Sequence, residues 1–110
     1  MKGLDMHKPG AKDDNGKIRV GLMVEGFARA LEAVAEISTY GAHKYSDGGW
    51  QHVPKGVARY SDAMGRHWLA ECMGEKFDDE SGLTHAAHLA WNALARLELL
   101  LRQDSSQEKK

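Results

Sequence analysis

The sequence predicts one all-α domain, a small bundle of about three main helices that is completed by oligomerisation. Three segments repeat apolar residues at helical intervals, and the chain has no convincing alternation of apolar and polar residues as a strand would need. Pro54 and the glycines around it interrupt the chain between the first two segments. With 110 residues, 42% of them hydrophobic and 28% charged, the chain has the size and composition of one globular domain.

The first helix is expected from about Leu22 to Tyr40, with Gly41 ending it. Its stripe of residues spaced for burial consists of Phe27, Leu31, Val34 and Ser38. The opposite face carries mostly acidic residues, namely Glu25, Arg29, Glu32 and Glu36. A face of this kind is usually solvated, and the alternative is that it lines a metal site or a subunit interface.

The second helix is expected from about Val57 to Met73, ahead of Gly74. Its apolar stripe consists of Val57, Tyr60, Met64, Trp68 and Cys72. His67 and Glu71 stand four residues apart, so an imidazole and a carboxylate could converge on one ion or one water molecule. The alternative is a structural pair in which a half-buried histidine is hydrogen-bonded to the glutamate.

The third helix is expected from about Ser81, a good N-cap residue, to about Arg102. Polar side chains occupy the positions that a packed helix usually gives to Leu or Val, and these are His85, His88, Asn92 and Arg96. A single buried histidine or asparagine is often structural. A row of four would need partners for each, because an unsatisfied buried group costs roughly 1–3 kcal/mol. The pattern therefore favours a functional site.

The segment before the third helix is strongly acidic, with Glu75, Asp78, Asp79 and Glu80 close together. Because like charges repel, a hard cation such as Mg²⁺ or Mn²⁺ bound to these oxygens would relieve the repulsion. The alternative is a solvated turn whose charges interact favourably with the helix dipole.

The segment before the second helix combines Lys44 with the aromatic residues Tyr45 and Trp50. A cation and two rings beside a run of glycines suit a site that holds a phosphate and stacks a base. The alternative is that Trp50 only covers the end of the bundle.

The helical domain is expected to span residues 18–102, between a flexible arm at 1–17 and a flexible tail at 103–110. A chain of this length buries only about two-thirds of its unfolded surface, so a second copy could complete the core. We therefore expect a homo-oligomer, a dimer or larger.

Charge and cysteine content exclude several classes of protein. With 15 basic and 16 acidic residues, the chain lacks the basic surface of a protein that binds duplex nucleic acid. Its single cysteine cannot form an internal disulfide, which favours a reducing, cytoplasmic location. No segment approaches the roughly 20 apolar residues of a membrane span, so no membrane association is expected.

Several of these pieces together resemble a known family. They are Gly16-Lys17-Ile18-Arg19, Tyr40-Gly41-Ala42-His43-Lys44-Tyr45 with Trp50, Arg66-His67, and the run from Gly74-Glu75 through Ser81-Gly82 to Asn92. The pattern covers about residues 13–100 and resembles the small phage family of dATP/dGTP diphosphohydrolases. This resemblance implies hydrolysis of a purine deoxynucleoside triphosphate to the monophosphate and pyrophosphate with a divalent metal. It also implies a role in phage nucleotide metabolism in the host cytoplasm.

That family is similar in outline to the MazG-like all-α nucleotide pyrophosphohydrolases, whose helices present Glu-x-x-Glu and Glu-x-x-Asp metal motifs. This chain departs from the pattern, because its first helix offers Glu32 and Glu36 four residues apart. Its third helix presents His85, His88 and Asn92 where a carboxylate pair is expected. The chain has no His-Asp dipeptide, which argues against the HD-type phosphohydrolases.

The leading hypothesis is metal-assisted hydrolysis of the α–β phosphoanhydride. The carboxylates expected around one or two Mg²⁺ ions, with Mn²⁺ as an alternative, are Glu71, Glu75, Asp78 and Glu80. His67 would act as the general base or as the partner that orients it, with Glu71 as the second catalytic residue. The residues expected to contact the purine deoxynucleotide are Lys44, Tyr45, Trp50, Arg66, His85, His88 and Asn92.

Two other functions remain open from the sequence. A non-catalytic phage protein could use the same helical pocket to bind and sequester a nucleotide. A purely structural helical oligomer is the third possibility, but it would leave the polar row of the third helix and the acidic segment without a purpose.

Overall fold

The computed structural model describes residues 5–108, and this part of the chain is helical, as the sequence predicts. Its elements are α1 (Val20–Gly26), α2 (Ala28–Lys44), a 3₁₀ turn (Gly49–His52), α3 (Gly56–Cys72) and α4 (His85–Glu108). None of these helices combines the length and hydropathy needed to cross a bilayer.

The predicted first helix is in fact two helices, α1 and α2, separated at Phe27. The backbone of Phe27 leaves the helical region, with φ at −122°, and its side chain is exposed rather than buried as predicted. Gly41 does not end α2, which continues to Lys44, because one glycine inside a helix costs only about 1 kcal/mol. The buried residue of α2 is Ile37, one position before the predicted Ser38.

α3 and α4 pack against each other more extensively than any other pair of described elements. Gly56, the first residue of α3, is buried, and a Cβ atom there would lie 2.8 Å from Cδ1 of Leu99. Further along, the guanidinium Nε of Arg96 donates to Oγ of Ser61 over 2.7 Å. The end of α3 extends past the first turn of α4, so Trp68 of the predicted stripe is exposed.

α4 begins at His85 rather than at Ser81, because residues 76–85 form a compact turn. The amide of Asp78 donates to the carbonyl of Leu83, and the amide of His85 donates to the carbonyl of Lys76. Gly82 supplies the positive φ of this turn, at +74°. Oγ1 of Thr84 then accepts a hydrogen bond from the amide of Ala87 and takes the capping role predicted for Ser81.

At its other end α4 continues to Glu108, beyond the predicted Arg102. The flexibility expected for residues 1–17 and 103–110 stays a prediction, and residues 1–4 and 109–110 of these segments lie outside the described part of the chain.

The interior is small and unusually polar. Among residues 5–108, the buried apolar side chains are Ile37, Ala87 and Ala95, and the buried polar ones are His85, His88 and Asn92. The radius of gyration is 19.0 Å, against about 13 Å for a compact domain of similar length. The helices therefore leave much apolar surface exposed, and polar groups of α4 occupy part of the space that a core would fill.

Gly65 offers a test of the packing of α3. It lies inside the helix, and a Cβ atom there would meet nothing within 4 Å, so Gly65→Ala should raise the free energy of unfolding by about 1 kcal/mol. Gly56→Ala is the matched comparison in the same helix, and it should gain less or lose stability because Leu99 must move. Urea denaturation measures both, and equal stabilisation would contradict the packing described for Gly56.

Candidate functional site

A cleft of about 1210 Å³ opens between α2, α3, α4 and the segments that connect them. Most of the predicted site residues line it, namely Lys44, Tyr45, Trp50, Arg66, His67, Asp78, Glu80, His88 and Asn92. His85 is buried behind this wall, and Glu75 lies beside it on the exposed side. Glu71 is exposed and does not line the cleft. A second cavity of about 700 Å³, near Leu99, has no histidine or carboxylate in its lining.

Three histidines from two helices meet at the inner wall of the cleft. The Nδ1 atoms of His67 and His85 lie 2.8 Å apart. The ring of His88 stacks on that of His67, with centroids 4.4 Å apart and planes 7° from parallel. Because these rings are so close, a positive charge on one opposes a positive charge on the next.

Burial lowers the pKa of two of these imidazoles, His67 and His88, and so favours their neutral forms. Burial, and then the neighbouring His88, lowers the pKa of His67 below its ordinary value. Burial also lowers the pKa of His88, against the opposing effect of the Asp78 carboxylate. Neutral imidazoles have a nitrogen lone pair free for a metal ion or a proton.

Asp78 is held in the turn by Ser81. The amide of Ser81 donates to Oδ2 of Asp78 over 2.8 Å, and Oγ of Ser81 lies 2.7 Å from Nε2 of His88. Burial alone would raise the pKa of Asp78, but the hydrogen bonds from Ser81, and then the nearby histidines, lower it below its ordinary value. Asp78 is therefore an oriented, ionised carboxylate beside the histidines.

His67, Asp78 and His85 form a group that can hold a metal ion. Each offers one donor atom, and these atoms lie within 4.8 Å of one another. The three residues come from α3, from the turn and from the start of α4, so only the folded chain brings them together. Of the four carboxylates predicted as metal ligands, Asp78 belongs to this group and Glu71, Glu75 and Glu80 do not.

Glu75 lies close to His85 and, like it, does not line the cleft. Its Oε2 lies 3.6 Å from Nε2 of His85. That nitrogen is buried and has no hydrogen-bond partner among the described residues. Glu75 is thus a nearby acceptor for a proton on Nε2 of His85.

Lys44 and Glu80 form an ion pair that joins the end of α2 to the acidic turn. The hydrogen bond with Glu80 raises the pKa of Lys44 and lowers that of Glu80. Both side chains are largely exposed, so the pair contributes little to stability. The cation predicted for phosphate and a carboxylate predicted for metal are therefore bound to each other.

Aromatic rings form one wall of the cleft. Trp50 packs edge-on against Tyr60 and Trp91, with centroids 6.3 and 5.8 Å away. The hydroxyl of Tyr60 donates to the carbonyl of Trp50, and Nε1 of Trp91 donates to Oγ of Ser38. Sequence reasoning missed Trp91, although it lies three residues after His88 and therefore on the same helical face.

Asn92 and Arg66 present polar groups to the cleft from α4 and α3. Asn92 is buried, and its Nδ2 donates to the carbonyl of His88 over 2.8 Å, which fixes the orientation of the amide. No hydrogen bond from a described residue reaches its Oδ1. No carboxylate of residues 5–105 lies within 4 Å of the Arg66 guanidinium. Both groups can therefore bind a ligand.

Comparison with known proteins identifies a family and a relative that this chain matches. Residues 7–109 match the family described as dATP/dGTP diphosphohydrolase, N-terminal. A curated relative, the dATP/dGTP diphosphohydrolase of Salmonella phage PMBT28, is 34% identical over 101 residues, which are 92% of this chain and 33% of the relative. The chain thus spans a third of the length of this relative. No solved structure matches the chain.

Ser81 tests how the site is held together. Ser81→Ala should lower the free energy of unfolding by about 1–3 kcal/mol, because His88 and the amide of Leu83 lose the Ser81 hydroxyl. Ser46→Ala is the control, since the exposed hydroxyl of Ser46 has no hydrogen bond to another described residue. Urea denaturation of both variants is the measurement, and an unchanged midpoint for Ser81→Ala would contradict the assigned contacts.

Proposed function

The chain belongs to the family of dATP/dGTP diphosphohydrolase N-terminal domains, and we propose that it hydrolyses purine deoxynucleoside triphosphates to the monophosphate and pyrophosphate. The observation that carries this proposal is the group of His67, Asp78 and His85 at the inner wall of a cleft large enough for a nucleotide. The name of the relative supports the substrate class, and the predicted phage origin is in keeping with its source.

A divalent metal belongs to this proposal, and His67, Asp78 and His85 would hold it. Such an ion supplies charge neutralisation for the triphosphate and lowers the pKa of a bound water molecule. The donor set fits this role, because two imidazoles and one ionised carboxylate converge beside the cleft. Mg²⁺, the ion expected from the sequence, would then accompany the triphosphate as its counter-ion.

His88 is the better candidate for the general base. His67, for which the sequence predicts that role, would be occupied by the metal, and Glu71 is exposed and does not line the cleft. His88 lines the cleft outside the metal group, and Ser81 orients its ring. A neutral, oriented imidazole can accept the proton of the attacking water.

The phosphates would bind at the mouth of the cleft, where Lys44 and Arg66 supply positive charge. Lys44 must exchange its contact with Glu80 for one with phosphate. This exchange is favourable because a triphosphate carries several negative charges and the exposed ion pair is weak. Arg66 needs no such exchange, and its planar guanidinium suits two phosphate oxygens.

The purine would lie against the aromatic wall. Tyr45 is 75% exposed at the mouth, so its ring is free to stack on a base, whereas Trp50 is already packed against Tyr60 and Trp91. The fixed amide of Asn92 can both donate to and accept from the edge of the base.

Binding of an intact nucleotide without turnover is the second candidate function. The observation that favours it is that the curated relative contains a further two-thirds to which this chain does not correspond. Residues for the chemical step can lie in that part of the relative. Product analysis separates the two functions.

We further propose that two or more copies associate through the apolar surface around α1. Large apolar side chains are exposed there, and they are Ile18, Val20, Leu22, Met23, Val24 and Phe27. The small interior and the extended shape of the described chain support a second copy as the occupant, because burial of this surface would supply the missing apolar contacts.

Asp78→Asn tests the catalytic proposal. It keeps the size of the side chain but removes its charge, so pyrophosphate release from dATP and dGTP should fall by on the order of 100-fold or more. Asp79→Asn is the matched control, because Asp79 is the adjacent, exposed carboxylate outside the cleft. Each dNTP is incubated with Mg²⁺ or Mn²⁺, and monophosphate, pyrophosphate and bound intact nucleotide are measured. Undiminished turnover by Asp78→Asn would refute the assignment, and tight binding without product would select the second function.

Val24→Glu tests the association. A charge in the middle of the apolar surface of α1 should shift the protein from an oligomer toward a monomer, because burying an unpaired carboxylate is costly. Light scattering coupled to size-exclusion chromatography measures the mass, with the exposed change Gln103→Glu as control. A wild-type chain that is monomeric at all concentrations would rule the association out.

A further inference from the structure

The donor atoms at the inner wall of the cleft are richer in nitrogen than a magnesium site. The group consists of two imidazole nitrogens and one carboxylate oxygen. Mg²⁺ prefers oxygen ligands and retains several water molecules, whereas imidazole suits first-row transition metals such as Zn²⁺, Co²⁺ and Fe²⁺. Histidine and carboxylate donors of this kind bind at about 2.0–2.2 Å, so small side-chain rotations bring all three to one ion.

The surroundings of the group also match those of a metal centre. When one ring nitrogen of histidine binds a metal, the other carries a proton and usually donates it to a carboxylate or carbonyl. Nδ1 of His85 faces His67, and its buried Nε2 has no hydrogen-bond partner among the described residues, with Oε2 of Glu75 3.6 Å away. A metal on Nδ1 would give this otherwise unexplained buried nitrogen a proton and a nearby acceptor.

The orientation of the carboxylate of Asp78 is also fixed by a hydrogen bond from the protein. Oδ2 of Asp78 accepts the amide hydrogen of Ser81 over 2.8 Å, so its direction is set by the backbone of the turn. His67 and Asp78 border the cleft while His85 lies behind them. The open side of the group therefore faces the cleft, as in catalytic sites that keep a position for water or substrate.

We propose that His67, Asp78 and His85 bind a first-row transition-metal ion in preference to Mg²⁺, and that Glu75 is the positioning residue that orients His85. The role of this ion in hydrolysis rests on the proposed function, but its binding does not. Glu75, expected from the sequence to bind the metal directly, would instead act through the ring of His85.

Cobalt provides a direct readout without nucleotide or turnover. The chain is stripped of metal with a chelator, and Co²⁺ is titrated while the visible absorption of the protein-bound ion is followed. We expect one Co²⁺ per chain, displaced by Zn²⁺ and unaffected by excess Mg²⁺. Absence of binding, or displacement by Mg²⁺ as readily as by Zn²⁺, would overturn the proposal.

Ligand variants assign the absorption to this group. His85→Gln and Asp78→Asn should abolish the bands, and His52→Gln should retain them, because His52 is exposed and lies outside the group. Circular dichroism reports whether each variant folds. Should His85→Gln fail to fold, His67→Gln on the neighbouring helix gives the same test. Unchanged bands in the folded ligand variants would refute the site.

Glu75→Gln tests the positioning role. It should weaken Co²⁺ binding by roughly 10–100-fold and alter the band shape, because the second nitrogen of His85 loses its charged acceptor. Glu71→Gln is the matched control, since Glu71 is also exposed but lies outside the metal group. An equal loss of affinity in both variants would overturn the role of Glu75.

The proposed hydrolase function and the proposed metal centre can be refuted independently of each other. Specific Co²⁺ binding in a chain that releases no pyrophosphate supports the metal centre and refutes the hydrolase function. Hydrolysis with Mg²⁺ by a chain that binds no Co²⁺ supports the function and refutes the centre.

Discussion

The contact between His67 on α3 and His85 at the first position of α4 is the constraint on which this end of the molecule depends. It places the first residue of α4 beside α3. The chain between the two helices must therefore fold back within a short distance, which it does through the turn at 76–85. The contact also fills the interior with imidazoles where a bundle usually has Leu or Val. Stability at this end then depends on polar contacts, of which the buried Nε2 of His85 lacks one in the described part of the chain, and any ligand that binds only the folded arrangement adds to the stability by linkage.

Helical periodicity was sufficient to predict the fold class and the bounds of α3 to within a residue, since both depend on local pattern. It was not sufficient to predict the break between α1 and α2 at Phe27, or that α4 begins at His85 rather than near Ser81. Ser81 and Thr84 are both good N-cap residues, and the choice between them depends on backbone hydrogen bonds that join Lys76 to His85 across the turn. Such contacts leave no periodic signal in the sequence.

Most of the site residues predicted from residue type line the cleft, but the partners of each residue were not predicted. His67 and Glu71 share one side of a helix by spacing, yet the structure turns His67 toward α4 and leaves Glu71 exposed. The deciding factor is where α4 begins. Its first residue, His85, lies beside His67, and the helix does not extend as far as Glu71. Glu75 is nearer in space to His85 than its separation along the chain suggests, because the turn folds back on itself.

The acidic turn shows why the metal group has one carboxylate rather than four. The sequence left open whether a hard cation or the solvent relieves the repulsion between its carboxylates, and the structure gives three of them separate partners. Asp78 faces the histidines, Glu75 lies near the outer nitrogen of His85, and Glu80 pairs with Lys44. One divalent ion held by Asp78, His67 and His85 would keep a net positive charge, whereas one held by four carboxylates would be part of a negative centre. Under the proposed function, the dispersal of the acidic side chains would therefore favour the binding of an anionic substrate.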